Sequence, residues 1–333
     1  MYELLGISLA LAALLTFNAA LSLVTSAVWR LIHSKAKRWP ARTQAQTIFA
    51  LRVIPGCIAI VCVVALFVPA FLAHEPRQSE NVSWKLAVLA FISIAGLLLA
   101  LWRGLAAWMT TRHLVANWLR NSEAIHVPQV PIPVFRLQHP FPVIAIVGVL
   151  RPRLFIADHL MASLTPEELS AAIAHECGHL FAHDNLKRVL LRLCRDMLTI
   201  VPCGRTLDQE WIAASEVAAD DFAARNSNEQ ALDLASALVK IARLIPTGQR
   251  PGLSVIVSLI GEDSGSIRHR VNRLASLTNC SDRTLAAIET RLISTSLWLP
   301  FGAFLTAALV IATDADLLYP VHLFMEAIVS ALQ

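Results

Sequence analysis

Apolar residues dominate three long stretches in the first third of the chain, at positions 4–28, 49–72 and 84–102. A bilayer core of about 30 Å needs roughly 20 apolar residues in a helix, so each stretch predicts a membrane crossing. The first has Glu3 ahead of it and its basic residues behind it, which predicts a retained anchor rather than a cleaved leader. In the second, Arg52 is expected to snorkel to the interface, and Pro55 and Pro69 to kink the helix. A fourth apolar run, 295–311, predicts one more crossing. The tail 317–332 is short for a crossing, and His322 with Glu326 one turn later reads as a solvated or headgroup-facing stripe.

Between these runs the texture is that of a water-exposed domain. A proline-punctuated stretch with Pro131, Pro133, Pro140, Pro142 and Pro152 brackets short β-branched segments, which predicts a hairpin of 143–147 with 153–156. From Ser163 the pattern turns helical. Ser163 or Thr165 can cap, Pro166 suits the first helical position, and Glu167 and Glu168 suit the positive helix end. The expected fold is therefore mainly α: multi-pass transmembrane helices plus a small α+β domain with a β-hairpin or sheet. The expected divisions are a membrane region over 1–120, the domain over 121–292, and a fourth crossing with a short tail over 293–333.

Composition agrees. Hydrophobic residues make up 56% of the 333 positions and charged residues 16%, outside the soluble norm. The net charge of +4 is too slight to argue for a nucleic-acid partner. Its placement is informative: Arg30, Lys35, Lys37, Arg38 and Arg42 link the first two runs, whereas Glu75 and Glu80 oppose Arg77 in the next link. Positive loops stay inside, so the N-terminus is expected outside and the domain in the cytoplasm, in the inner or plasma membrane. The six cysteines show no CxxC pair, which predicts reduced thiols rather than disulfides or a zinc knuckle.

The domain helix carries His175, Glu176 and His179 in HExxH order within AIAHECGHLFAHDN. Residues four apart share a helix face, so both imidazoles can reach one tetrahedral Zn²⁺ while Glu176 faces the open position as general base. A bland alternative is an amphipathic helix with two half-exposed histidines. His183 cannot join the same site from a continuing helix, because eight residues rise about 12 Å. The third ligand read from the sequence is Glu216, 37 positions after His179 in SEVAADD, with the chain turning through VPCGRTLDQ between two helices. Asp220, one turn later, would accept a hydrogen bond from the far nitrogen of a ligand histidine. Against this stands an exposed acidic face that includes Asp221.

HECGH followed by Glu216, Ala219 and Asp220 resembles the gluzincin metallopeptidases of membranes. The stretch RPRLFIADHLMASLTPEELSAAIAHECGHLFAHDNL looks most like peptidase family M56, the signal-transducing peptidases related to antirepressor and β-lactam sensors. Family M48, which includes prenyl-protein and quality-control peptidases, is the nearest competitor. The M56 resemblance implies cleavage of a cytoplasmic protein or peptide, with a transcriptional repressor as one candidate, in signal transduction. It leaves a homo-oligomer or a sensor partner open. Quality-control proteolysis and a relay without cleavage are the competing functions. The segment IRHRVNRL is similar to the RIxxL helix of these families and puts Arg270 in the arginine's place, where it would stabilise an oxyanion or lie as a basic helix end near the inner leaflet.

Overall fold

The computed structural model describes residues 2–76, 82–128, 130–197, 204–225, 227–245, 264–277 and 298–332. The first two apolar runs form α1 (Tyr2–Ala36) and a continuous rod made of α2 (Ala41–Val61), a π-helical stretch (Cys62–Phe67) and α3 (Val68–His74). The third forms α4 (Trp84–Arg120), started by Ser83, whose hydroxyl accepts from the Leu86 amide at 3.3 Å. By length and composition these three rods can each cross a membrane. Pro69 lacks an amide, and the Val68 amide just before it reaches back to the Val63 carbonyl. The expected irregularity in this rod therefore takes the form of a π bulge ahead of Pro69.

At 37 residues, about 55 Å, α4 is longer than any crossing needs. Its last turns enter the next domain, where Trp118 is buried and meets Phe155 edge-on at 5.1 Å. There β1 (Ser122–Ile125), β2 (Val134–Leu137), β3 (Ile144–Val147) and β4 (Arg153–Ala157) form a sheet in the order β1-β2-β4-β3. The hairpin read from the sequence is β3 with β4, antiparallel, with Ile146 opposite Leu154. β2 pairs with β4 in parallel and β1 with β2 antiparallel. All four residues of β3 are buried although it is an edge strand, and α6 packs against it.

The helices that follow are α5 (Asp158–Ser163), α6 (Pro166–Phe181), α7 (Asp184–Met197), α8 (Gly204–Ala223), α9 (Asn228–Leu244) and α10 (Ser264–Leu277). One core joins the sheet to α6, α9 and Leu274 of α10. A second core joins Trp29, Ile48 and Val53 of the apolar rods to Leu191 of α7 and to Leu207 and Trp211 of α8.

The structure corrects three sequence readings. Arg52 does not snorkel: it is buried, with Nε 3.2 Å from Asp208 Oδ1 of α8, because a nearby carboxylate neutralises it where it stands. Residues 205–209 do not turn the chain; they are helical within α8, and 201–203 lie outside the described residues. The fourth apolar run, an expected crossing, forms α11 (Trp298–Ala312), with 295–297 outside the described residues; it bends by 102° into α12 (Ala315–Leu332), and by length and composition the bent pair can make one further span or a re-entrant loop. His322 is not solvated: it is buried, with Nδ1 3.6 Å from Glu75 Oε2 and Nε2 3.4 Å from Glu326 Oε1, since α12 packs against α3.

Of the cysteines, 57, 62, 177 and 194 are free thiols, while Cys203 and Cys280 lie outside the described residues, as do Arg77, Glu80 and Arg291.

Candidate metal centre

Helix α6 is fixed at its start by a reciprocal cap. The Thr165 hydroxyl accepts from the Glu168 amide at 3.3 Å, and Glu168 Oε2 accepts from the Thr165 amide at 2.9 Å, with Pro166 in the first turn. Glu168 also accepts from Ser236 at 2.6 Å and Lys240 at 2.7 Å, tying the helix to α9. Four-residue spacing then puts the His175 and His179 rings on one face, edge to face with centroids 4.9 Å apart. Both are buried.

Helix α8 crosses α6 closely because Gly178 has no side chain. A Cβ there would stand 3.1 Å from Ala219 Cα and 3.3 Å from Ala219 Cβ. That crossing brings Glu216 against both rings: Oε2 lies 3.6 Å from His175 Nε2, and Oε1 lies 3.4 Å from His179 Nε2. Each ring's other nitrogen is held by a carboxylate. His175 Nδ1 donates to Asp220 Oδ1 at 2.9 Å, and His179 Nδ1 donates to Asp184 Oδ2 at 2.7 Å. In the neutral rings that a cation requires, these bonds assign the protons to Nδ1 and leave both Nε2 lone pairs pointing inward.

A cation fits this arrangement. One ligand atom from each of His175, His179 and Glu216 lies within 4.8 Å of the others. Both Nε2 atoms and Glu176 Oε1 are buried without a hydrogen-bond partner among the described residues, an expensive state for polar atoms unless something else satisfies them. Two imidazoles and one carboxylate with a further position open is the donor set of a catalytic zinc site.

Glu176 stands beside this cluster with Oε2 accepting from the Ile146 amide of β3 at 3.2 Å. Ile146 thus turns its backbone away from β4. Its carbonyl, with that of Gly148, accepts from Asn185 Nδ2 at 3.0 and 3.1 Å. Gly148 has φ 105°, the left-handed region that glycine takes without strain.

The charges are strongly coupled. Burial pushes the Glu176 carboxyl up, against the pull of the two imidazoles. Burial opposes a charged His179 ring, but the Glu216 carboxylate and the Asp184 hydrogen bond outweigh it, and these groups alone hold the ring up at about 10. Glu216 is held well below the ordinary carboxylate range despite its burial, by His179 first and then by His175 and the Arg270 charge. Asp220 is lowered, its burial outweighed by Arg270.

The sequence reading and the structure part over Arg270. Its guanidinium is 2% exposed and grips Asp220 with two bonds, Nε to Oδ2 at 2.8 Å and Nη2 to Oδ1 at 2.6 Å, while Nη1 donates to Glu216 Oε2 at 3.2 Å. It is buried among the ligand carboxylates and not at a lipid-facing helix end, and its contacts with Asp220 and Glu216 are those of a positioning residue. Three further residues escaped the sequence reading. Asp184 follows a break at His183, whose φ of 57° turns the chain so that a residue five positions after His179 meets that ring. Arg188 donates to Glu216 Oε1 at 3.3 Å. Gly178 sets the helix crossing, and the glycine inside HECGH was the available signal. Cys177 points into the core and takes no part.

Residues 145–295 match the sequence model of peptidase family M48. A comparison with curated proteins gives no match. The matched stretch starts on β3 and contains both histidines, Glu176, Glu216 and Arg270. It supports an M48-type metallopeptidase domain, and together with the three apolar rods it indicates a membrane-associated metallopeptidase.

Proposed function

We propose that the chain is a multi-pass membrane zinc metalloendopeptidase that cleaves a protein on the cytoplasmic side. The observation that carries this reading is the convergence of two unpartnered Nε2 atoms on Glu216, with an unpartnered carboxylate oxygen of Glu176 beside them. When bound by His175, His179 and Glu216, zinc supplies Lewis-acid polarisation of the scissile carbonyl.

The protein's own groups do the rest. Asp220 and Asp184 fix the tautomer and aim of the two rings, and Arg270 fixes Asp220. Glu176, raised by burial and oriented by the Ile146 amide, accepts the proton of the attacking water at Oε1 and returns it to the leaving amine. An extended substrate would lie along the outward edge of β3, pairing backbone to backbone, and Asn185 would release the carbonyls it now holds. The charge bias of the first loop supports the cytoplasmic side.

In Glu176→Gln we expect peptide cleavage to disappear while metal content stays at about one zinc per chain. Unchanged cleavage in that variant would reject the reading. The substrate then separates the family-level alternatives. New cytoplasmic termini on one DNA-binding repressor would match the M56-like signalling role, and fragments of many membrane proteins would match the M48-like role that the sequence-model match favours.

A further inference from the structure

Helices α7 and α8 are the arms of a hairpin whose described ends, Met197 and Gly204, lie far along the apolar rods. Met197 O is 2.9 Å from where a Cβ on Gly96 would stand, and Cys194 Sγ is 4.0 Å from the corresponding point on Gly56. A Cβ on Gly204 would fall among the guanidinium atoms of Arg52. Gly96 lies about 10 Å to the apolar side of Arg103, where the run in α4 ends, and Gly56 lies about 10 Å inside the run that starts at Phe49. Two helices therefore give the same depth for the end of α7.

The hairpin is also held in chemically. Each arm carries an acid near its end, and each acid meets an arginine of a rod: Asp196 with Arg103 at 2.9 Å, and Asp208 with Arg52 at 3.2 Å. Trp29 Nε1 of α1 donates to Glu210 Oε2 at 2.6 Å. Such pairs suit a place without water, where a lone charge would be costly.

The side of α7 turned away from the rods carries Leu186, Val189 and Leu193, one helical stripe that is 43%, 48% and 42% exposed. Arg192 and Arg195 stand exposed beside it. An apolar stripe flanked by cations, continuous with membrane-crossing rods, has the chemistry of an element lying at the lipid boundary. We propose that the described ends of the α7–α8 hairpin are set into the bilayer beside the rods, with lipid acyl chains covering Leu193 and reaching Val189 on the outward face of α7, and Leu186 at the level of the headgroups. Helix α8 runs about 18 Å from Gly204 to Glu216, which puts the metal centre on the order of 10 Å from the apolar boundary.

This proposal rests on the membrane rods and not on the peptidase reading, and its readout is lipid proximity rather than cleavage. The full chain would be reconstituted in phosphatidylethanolamine–phosphatidylglycerol vesicles with a diazirine amino acid at Val189 or Leu193. Leu232 on α9, 50% exposed, serves as the reference. On irradiation, phospholipid adducts are expected severalfold above the Leu232 level. Adducts no more frequent than at Leu232, or crosslinks mainly to another polypeptide, would overturn the proposal. A second measurement uses the unsubstituted chain. Hydroxyl-radical oxidation should spare Leu193 and Val189 in vesicles while modifying Leu232, and equal oxidation would likewise overturn it.

Discussion

Asp184 Oδ2 accepts from His179 Nδ1 at 2.7 Å, repeating on the second ring what Asp220 does for His175 at 2.9 Å. The two aspartates come from different places: Asp220 from the helix that also brings Glu216, and Asp184 from the first turn of the helix after the break at His183. Each ring therefore has its own carboxylate, and the break in the chain is what delivers one of them.

Replacing Asp184 with Asn or Ala should weaken zinc binding by about 10–100-fold, the usual effect of losing a partner behind a ligand histidine. Competition against a calibrated chelator reads this directly. Wild-type affinity in Asp184→Ala would mean that the bond does not orient His179.

Arg270 offers a test between positioning and catalysis. Removing a 2% exposed guanidinium strips Asp220 of its two-pronged partner and leaves Glu216 with Arg188 as its remaining cation, at a cost of about 3–5 kcal/mol. Arg270→Lys keeps the charge but cannot reproduce the two-pronged grip. Both variants should lose thermal stability and zinc together, and Arg270→Lys should lose less. An oxyanion donor would behave differently, with kcat falling while metal content and stability hold.

Gly178→Ala asks whether the α6–α8 crossing sets the site. The added methyl would meet Ala219 and Phe222 at 3.1–3.3 Å, contacts that neither helix backbone can easily yield. Overpacking of this kind costs about 1–3 kcal/mol. Because the displaced helix carries Glu216, zinc affinity should fall even where the chain stays folded. A variant with normal affinity would show that the crossing has slack.

How much of this was readable beforehand depended on distance along the chain. The apolar rods announce themselves by composition, and the β3–β4 hairpin by its β-branched runs between prolines. Glu216 could be named because a catalytic zinc needs a third ligand and Glu216 stands four residues before Asp220 in a helix-forming stretch, far enough from His179 for a second helix to return. Arg270 could be noticed but not placed, since its role depends on Asp220, 50 residues earlier. The seating of α7 and α8 was invisible. Arg52 and Asp208 lie 156 positions apart, and nothing local to either announces the other. Asp184 escaped because the positive φ of His183 that redirects it has no sequence mark beyond the end of the apolar pattern.

Glu168 joins the cap of α6 to Lys240 and Ser236 of α9, so it holds the zinc helix by its far end. Its carboxyl is lowered from the ordinary value: burial acts to raise it, but the Lys240, Ser236 and Thr165 hydrogen bonds outweigh burial. A carboxyl depressed in the folded state adds stability above its unfolded value of about 4.5 and loses that contribution as pH falls through the lower folded value. Glu168→Gln preserves the capping geometry and removes the charge, so it should flatten the loss of stability below about pH 4.5 while costing little of the helix itself. Glu168→Ala removes the cap as well and should cost about 1–2 kcal/mol at neutral pH. Thermal midpoints of the detergent-solubilised chain between about pH 3.5 and 7 separate the two effects. An unchanged acid slope in Glu168→Gln would show that the Lys240 contact contributes nothing to holding α6 on α9.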